Sequence, residues 1–259
     1  MEYFDVKGLA QEILDEVKSA PTKKALLIVA VGANSASESY IKGKIKDCEY
    51  CGVPYSIARP ETIHELILTV EDANQDPRVG GIIIQLPLPE GWDEDFFVRM
   101  VLDAKDVDGF KPSSRFAPCT PEGIIEVMKH YWGVGTFKGK RVLVIGRGKL
   151  VGEPLREMLI DLDATVEVAH SKSGDLVPLL KGRDAIVLAT GKPGLVKPMD
   201  IDDGTLVIDA GVTKVDEKLY GDLMKVDGAT SKICATPVPG GIGLMTRAML
   251  MKHMKEVNE

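Results

Sequence analysis

A short segment, Gly81-Ile-Ile-Ile-Gln-Leu-Pro-Leu-Pro89, combines a buried-strand pattern with one polar side chain and two prolines. A glutamine inside a strand needs hydrogen-bond partners, and a proline cannot continue a central strand ladder. We therefore expect a strand over 81–86 that ends abruptly at the prolines, with Gln85 beside this rigid exit. In an α/β protein, ligands bind just beyond the carboxyl ends of the strands, so Gln85 is a candidate site residue.

Two further segments could supply groups to the same site. Tyr40 and Lys44 are four residues apart and would share one helix face, with Ser37 one turn earlier. Asp106-Val-Asp-Gly109 places carboxylates in a turn that Pro112 makes rigid. Such pairs and turns are also common structural features. Short-chain dehydrogenases use the same Tyr-x-x-x-Lys spacing after their glycine loop, whereas here it precedes the loop, so that interpretation fails.

A glycine loop in the second half of the chain indicates nucleotide binding. Gly146-Arg-Gly-Lys-Leu-Val-Gly152 follows an apolar strand and opens a helix, whose N-terminal amides suit a diphosphate. Its spacing is one residue longer than the usual fingerprint. The next strand ends at His170-Ser-Lys-Ser173 without the acid that binds the ribose of NAD. Together with Arg147 this favours NADP over NAD; the alternative is that Arg147 and Lys172 are solvated loop charges.

Helical and strand patterns alternate along the chain, which predicts an α/β fold with parallel sheets. We expect an N-terminal three-layer α/β catalytic domain, residues 1–118 with the C-terminal helix 243–259, and a Rossmann-like domain, residues 119–242, with a cleft between them. Thr120 and Pro121 are expected as the N-cap and first turn of a helix that joins the two.

Composition restricts the possible partners. The 259 residues carry a formal net charge of −7, which argues against nucleic acid as a partner. No apolar run approaches the ~20 residues that span a membrane, and the N-terminus has no signal-peptide pattern, so we expect a cytoplasmic protein. Cys48-x-x-Cys51 lacks nearby ligands to complete a zinc site, so we expect packing thiols and no metal.

Seven motifs occur in one order over nearly the whole chain: SASESYIKGK (35–44), GIIIQLPLP (81–89), KDVDGF (105–110), CTPEGI (119–124), VIGRGKLVGEP (144–154), AHSKS (169–173) and TPVPGGIG (236–243). In this set the chain resembles the bifunctional methylenetetrahydrofolate dehydrogenase/methenyltetrahydrofolate cyclohydrolase family. The resemblance implies NADP-dependent oxidation of 5,10-methylenetetrahydrofolate, followed by hydrolysis to 10-formyltetrahydrofolate. It also implies a homodimer in one-carbon metabolism and purine biosynthesis.

The resemblance assigns roles to individual residues. Lys44 is implied as the base that activates water, with Gln85 as its hydrogen-bond partner. Tyr40 is implied to contact the folate with Ser37 nearby, and Asp108 to accept hydrogen bonds from the pterin. The other implied substrate-binding residues are Leu86, Pro87, Pro239, Gly240 and Gly241. The implied cofactor-binding residues are Gly146, Arg147, Gly148, Val151, Gly152, Pro154, His170, Ser171, Lys172, Thr190, Gly191, Gly211 and Val212.

Three positions depart from the family pattern, and two other functions compete with it. Gly148 replaces a serine, Leu244 replaces a proline and Lys111 replaces a histidine. The loss of the serine hydroxyl weakens the preference for NADP over NAD. One competing function is another two-domain NADP-dependent dehydrogenase of the shikimate type, and the other is a binding module without chemistry. No pattern assigns a chemical role to Cys119 or sets the relative rates of the two activities.

Overall fold

The computed structural model describes residues 1–32, 35–216, 218–226 and 231–257, and within this range the side chains of residues 35–37 are outside the description. The role predicted for the Ser37 side chain therefore lies outside the described residues. In the described part, no helix is both long enough and apolar enough to cross a membrane.

Seven α-helices and eleven strands are described, joined by turns and short 3-10 segments. The helices are α1 (Val6–Ser19), α2 (Ser35–Cys51), α3 (Ile63–Gln75), α4 (Glu94–Met100), α5 (Cys119–Trp132), α6 (Gly152–Asp161) and α7 (Ile242–Glu256). The strands are β1 (Glu2–Tyr3), β2 (Ala25–Ala30), β3 (Tyr55–Ala58), β4 (Val79–Gln85), β5 (Arg141–Ile145), β6 (Thr165–Ala169), β7 (Ala185–Leu188), β8 (Leu206–Asp209), β9 (Thr213–Val215), β10 (Lys218–Tyr220) and β11 (Cys234–Ala235).

The chain forms two compact units. One, the three-stranded unit, consists of Gln11–Cys119 and Arg247–Glu259 and contains a parallel sheet of order β3-β2-β4. The other, the six-stranded unit, consists of Met1–Ala10 and Thr120–Thr246. Its parallel sheet has the order β1-β11-β8-β7-β5-β6, and β9 and β10 form a separate antiparallel hairpin. The predicted α/β class with parallel sheets is confirmed.

Buried strands form the core of each unit, as their apolar runs predict. In the three-stranded unit, β2 and β4 are almost entirely buried, as expected for central strands of a parallel sheet. Gly81 of β4 allows α7 to approach closely, since a Cβ there would lie 2.6 Å from the sulfur of Met254. In the six-stranded unit β5, β7 and β8 supply the core, which includes Leu143, Ile186 and Val207.

Several local predictions require correction. α5 begins at Cys119, so Thr120 lies inside the helix and is not its N-cap; its hydroxyl instead contacts the hydroxyl of Thr246 at 2.9 Å. β1, β11 and the β9–β10 hairpin were not predicted because strands of two or three residues carry too little periodicity. The pairing of β1 with β11 also explains why residues 1–10 group with the six-stranded unit and not with residues 11–118.

The Cys48 and Cys51 thiols are free and buried. Burial raises the pKa of Cys48 to about 12 and that of Cys51 to about 11, with the nearby Asp47 carboxylate adding to both shifts. Because the thiolate is the reactive form, these cysteines are chemically inert near neutral pH and serve as packing groups.

Candidate active site and nucleotide loop

Lys44 and Gln85 meet in the three-stranded unit. The Lys44 ammonium donates a hydrogen bond to Oε1 of Gln85 at 3.2 Å, and the lysine is only 6 % exposed. The Gln85 amide nitrogen donates to the carbonyl oxygen of Leu86 at 2.9 Å, so both ends of the amide are used. These two bonds orient the amide with its oxygen toward Lys44. The lysine is thereby held at the carboxyl end of β4, beside the Leu86–Pro87 bond, which is cis.

One face of α2 carries most of the polar groups near Lys44. Tyr40 lies one turn before the lysine and is 40 % exposed, so its ring is available to a ligand. Asp47 lies almost one turn after the lysine and is buried. Arg247 lies in α7 and is the first residue of that helix to belong to the three-stranded unit. Its side chain packs on Gly43 and forms an ion pair with Asp47. A single helix therefore presents an aromatic ring, an amine and an ion pair in sequence.

Asp106 builds the turn that holds Asp108. The Asp106 carboxylate accepts hydrogen bonds from the backbone amides of Gly109 and Lys111, at 3.1 and 2.9 Å. Burial raises the pKa of Asp106 despite these donors. Gly109 has a φ of +71°, and a Cβ there would lie 2.3 Å from the carbonyl oxygen of Ala117, so only glycine fits. Asp108 is consequently presented from a rigid loop, at 9 % exposure.

Lys111, where the family pattern has histidine, has a structural contact set. Its ammonium donates to the carbonyl oxygen of Val101 at 2.6 Å and forms an ion pair with Asp103. The hydrogen bond from Lys111 lowers the pKa of Asp103. These contacts tie the loop that carries Asp108 to the segment after α4.

The glycine loop of the six-stranded unit turns tightly between β5 and α6. Gly146 has a φ of +123°, and a Cβ on Gly152 would lie 2.2 Å from the carbonyl oxygen of Gly146. The loop therefore turns closely on itself before α6 begins at Gly152. Arg147 and Gly148 are exposed, and the space around a Gly148 Cβ is open. The amide of Glu153 already donates to the carbonyl oxygen of Gly148 at 3.1 Å, and residue 154 is a proline without an N–H. The loop therefore offers an anion the open space beside Gly148 and the exposed Arg147 side chain.

The turn after β6 lies beside this loop, because β6 pairs with β5 and Gly146 donates to the carbonyl oxygen of Ala169 at 2.9 Å. The backbone amide of His170 donates to the hydroxyl of Ser173 at 3.0 Å. The ring nitrogen Nδ1 of His170 accepts from the amide of Lys172 at 3.1 Å. The turn leaves the side chains of Ser171 and Lys172 exposed.

Two buried carboxylates, Asp209 and Asp222, organise the remaining loops at the carboxyl edge of the large sheet. Asp222 Oδ2 accepts from the amide and hydroxyl of Thr190, at 2.7 and 2.8 Å. Asp209 Oδ1 accepts from the amides of Gly211 and Asp222, at 3.0 and 3.1 Å. Gly221 must be glycine, since a Cβ there would lie 2.1 Å from Asp209. The pair therefore holds the loops that carry Thr190, Gly191, Gly211 and Val212.

We expect Asp209 to titrate in the folded protein near pH 6, because burial raises its pKa from 3.8 to about 6. Between these values the folded chain binds more protons than the unfolded chain, so the stabilisation from Asp209 is present at low pH and is lost as pH rises. Asp209→Asn lowers the free energy of unfolding, and this loss should become smaller by about 3 kcal/mol as the pH rises through the range between the two pKa values. Carbon-13 NMR titration of the Asp209 carboxyl measures its pKa. Denaturation of the wild type and of Asp209→Asn at about pH 4 and about pH 7.5 measures the difference in unfolding free energy. A pKa below 4 would contradict the expectation.

The loop that opens α7 supplies the last predicted substrate residues. The Val238–Pro239 bond is cis, Gly240 has a φ of +92°, and a Cβ on Gly241 would lie 2.1 Å from the carbonyl oxygen of Pro237. The backbone amide of Leu244 donates to the carbonyl oxygen of Gly241 at 2.9 Å, a bond that the family's proline could not make. Leu244 therefore tightens the first turn of α7 through its amide.

The sequence predicted that Lys44 and Gln85 interact, and the two side chains are hydrogen-bonded in the structure. Four buried or ion-paired polar residues were not singled out: Asp47, Arg247, Asp209 and Asp222. Asp209 ends a strand of the sequence pattern Leu-Val-Ile-Asp, and a buried acid at that point was a detectable signal. Nothing in the local sequence links Asp47 to Arg247, because they lie 200 positions apart. Among the described residues, no group of three or more His, Cys, Asp or Glu side chains is arranged to hold a metal ion.

These features define a class of protein: a two-unit α/β protein with a nucleotide-type glycine loop in one unit and a buried lysine centre in the other. The family model for the tetrahydrofolate dehydrogenase/cyclohydrolase catalytic domain matches residues 4–108, and the model for its NAD(P)-binding domain matches residues 118–259. The chain belongs to the tetrahydrofolate dehydrogenase/cyclohydrolase family.

Individual relatives agree with this assignment over nearly their full length. The chain is 40 % identical to the bifunctional protein FolD of Listeria innocua, covering 97 % of this chain and 95 % of the relative. It matches the crystal structure of the bifunctional enzyme FolD from Campylobacter jejuni with a TM-score of 0.92 at 33 % identity, covering 99 % and 98 % of the two chains. It matches the Trypanosoma brucei FolD, solved with NADP cofactor and inhibitor, with a TM-score of 0.90 at 30 % identity, covering 98 % and 96 %.

Proposed function

We propose that this chain is a bifunctional enzyme that oxidises 5,10-methylenetetrahydrofolate to the 5,10-methenyl cation with NADP, then hydrolyses that cation to 10-formyltetrahydrofolate. The observation that carries the proposal is the buried Lys44 amine held on Gln85 at 3.2 Å in a chain of this family. The family assignment argues against the shikimate-type alternative.

Hydrolysis needs a base, and Lys44 is the group that supplies it. In its neutral form the amine takes a proton from a water molecule as the water oxygen bonds to the methenyl carbon. The added hydroxyl then loses its proton and becomes the C=O of the formyl group on N10 as the bond from that carbon to N5 breaks. N5 gains one proton in this step, so the proton taken up by Lys44 is the one released. The net reaction consumes one water and releases one proton. Gln85 orients the amine through its oxygen, since its amide nitrogen is held by Leu86.

Oxidation requires alignment of the substrate and no proton acceptor. The nicotinamide ring of bound NADP would supply the acceptor for the hydride that leaves the one-carbon bridge. Tyr40 provides an exposed aromatic surface for the flat pterin, and the Asp108 carboxylate can accept hydrogen bonds from the pterin amide and amino groups. Leu86, Pro87, Pro239, Gly240 and Gly241 complete the proposed substrate contacts.

The glycine loop and the loops held by Asp209 and Asp222 would bind the cofactor. The tight glycine loop before α6 lets the diphosphate approach the backbone closely, and Arg147, Ser171 and Lys172 are exposed groups suited to the 2′-phosphate that distinguishes NADP from NAD. Thr190, Gly191, Gly211 and Val212 belong to loops whose positions the two buried carboxylates determine.

Family membership also supports three finer proposals. We infer a homodimer, formed through the six-stranded unit, that works in the cytoplasm. The 10-formyl group that the enzyme makes is at the oxidation level of a formyl donor, which is the form in which one-carbon units enter purine biosynthesis.

An absorbance assay tests the proposed function. Purified protein with methylenetetrahydrofolate should form NADPH, more efficiently than it forms NADH from NAD, and with methenyltetrahydrofolate it should accelerate loss of the methenyl absorbance. Turnover of a small hydroxy acid in place of the folate would support a shikimate-type dehydrogenase. No turnover with either cofactor, while folate still binds, would identify a binding module and contradict the proposal.

A further inference from the structure

The Asp47–Arg247 pair lies on the face of α2 that carries Lys44, and its contacts suggest a role in catalysis. Asp47 is three residues after Lys44, a spacing at which side chains on a helix meet. Its side chain is 8 % exposed, and burial raises the pKa of Asp47 while Arg247 and then Lys46 oppose that shift. At the spacing of Lys44 and Asp47, a carboxylate without another partner can form an ion pair with the lysine.

In the structure the Asp47 carboxylate is paired with Arg247. The Arg247 Nε lies 3.0 Å from Asp47 Oδ2, with only 20 % of the arginine side chain exposed. The contact is an ion pair and not an aligned hydrogen bond, since neither atom has a well-aligned hydrogen-bond partner among the described residues. Lys44 meanwhile donates to the neutral oxygen of Gln85. Arg247 is therefore paired with the Asp47 carboxylate, and Lys44 with the Gln85 amide oxygen.

Gly43 makes room for this arrangement. A Cβ at position 43 would lie 1.8 Å from Nη1 of Arg247 and 2.9 Å from its Cζ, so the guanidinium packs directly on the glycine. Glycine in a helix interior is unfavourable relative to alanine by about 1 kcal/mol. Its presence one residue before Lys44 is explained by the space that the arginine occupies.

We infer that Arg247 is a positioning residue for Lys44: by holding Asp47, it keeps that carboxylate from capturing the lysine and so leaves the amine free to act as a base. The inference rests on the proposed function, since it concerns the hydrolytic step. An ammonium paired with a carboxylate is stabilised in its charged form and cannot accept a proton. Hydride transfer has no such requirement, so the two activities should respond differently.

The first variant removes the arginine. Arg247→Ala should lower kcat for hydrolysis of methenyltetrahydrofolate by at least about tenfold, a part of what a general base contributes. The dehydrogenase kcat should change much less, so the ratio of the two activities should fall. Gly43→Ala, which displaces the guanidinium, should lower the ratio in the same direction.

The decisive variant removes the competing carboxylate as well. Asp47→Asn combined with Arg247→Ala should restore hydrolysis toward the wild-type rate, because Lys44 then has no carboxylate to pair with. A purely structural ion pair would give the opposite result, since losing the second partner does not repair lost packing. Lys255→Ala is the matched control: it breaks an ion pair from the same helix α7 to Glu16 of α1, at 2.9 Å, and should leave the ratio unchanged.

The possible results distinguish failure of the proposed role of Arg247 from failure of the proposed function. If wild-type protein is active but Arg247→Ala keeps the wild-type ratio, or if the double variant shows no recovery, the role of Arg247 is wrong while the proposed function stands. If the wild-type protein turns over neither folate, the proposed function fails and the inference fails with it. Thermal unfolding of every variant shows whether the assays compare folded proteins.

Discussion

Replacing Lys44 by methionine should lower the hydrolysis of methenyltetrahydrofolate by about a hundredfold to ten-thousandfold, the contribution of a positioned general base. Methionine has a similar length and packs well in buried positions, so it removes the amine without leaving a cavity. Loss of a single buried amine also leaves no charge unpaired, because its partner Gln85 is neutral. The expected defect is therefore chemical and not structural.

The dehydrogenase activity of the same variant provides the internal control. Hydride transfer needs alignment and no base, so NADPH formation should fall far less than hydrolysis. Circular dichroism and the melting temperature should match the wild type. Hydrolysis at a near wild-type rate in a folded Lys44→Met protein would mean that another group activates the water.

Replacing Arg147 by alanine should weaken the binding of NADP much more than the binding of NAD. A hydrogen bond between a charged donor and acceptor contributes about 1.5–3 kcal/mol, so the KM for NADP should rise by about tenfold to a hundredfold. The KM for NAD, which lacks the 2′-phosphate, should stay within about twofold. Arg147 is exposed in the glycine loop and its backbone stays in place, so the diphosphate site should survive.

Gly148→Ser is the complementary variant. A Cβ at this position has open space around it, and a serine would restore the hydroxyl found in the family pattern. It should increase the preference for NADP. Equal weakening of NADP and NAD by Arg147→Ala, together with no effect of Gly148→Ser, would show that this loop does not contact the 2′-phosphate.

Much of the fold could be predicted because its central strands are short, continuous apolar runs, which buried strands of a parallel sheet require. β2, β4, β5, β7 and β8 were all expected from such runs, and Gly52, with a φ of +72°, ends α2 as its type predicts. The short strands β1 and β11 were missed because they exist only through their pairing with each other and with β8. Tertiary contacts create them, and no local pattern encodes them.

Some residues of the candidate site could likewise be predicted from the sequence, and others could not. Gln85 was expected at the end of a buried strand because an amide there needs a partner, and the structure provides Lys44. The Asp47–Arg247 pair could not be predicted, because a charged residue on a helix usually indicates a solvated face. The position of Arg247 depends on how α7 packs beside Gly43, which is a property of the folded chain.

A crystal structure of the protein with a folate analogue would show whether Lys44 faces the reacting carbon. The atom equivalent to the one-carbon bridge should lie within one water molecule of Lys44 Nζ, with contacts of about 2.6–3.2 Å along that path. The pterin amide edge should contact Asp108. An analogue bound elsewhere, or a Lys44 amine turned away from the ligand into bulk solvent, would contradict the assignment.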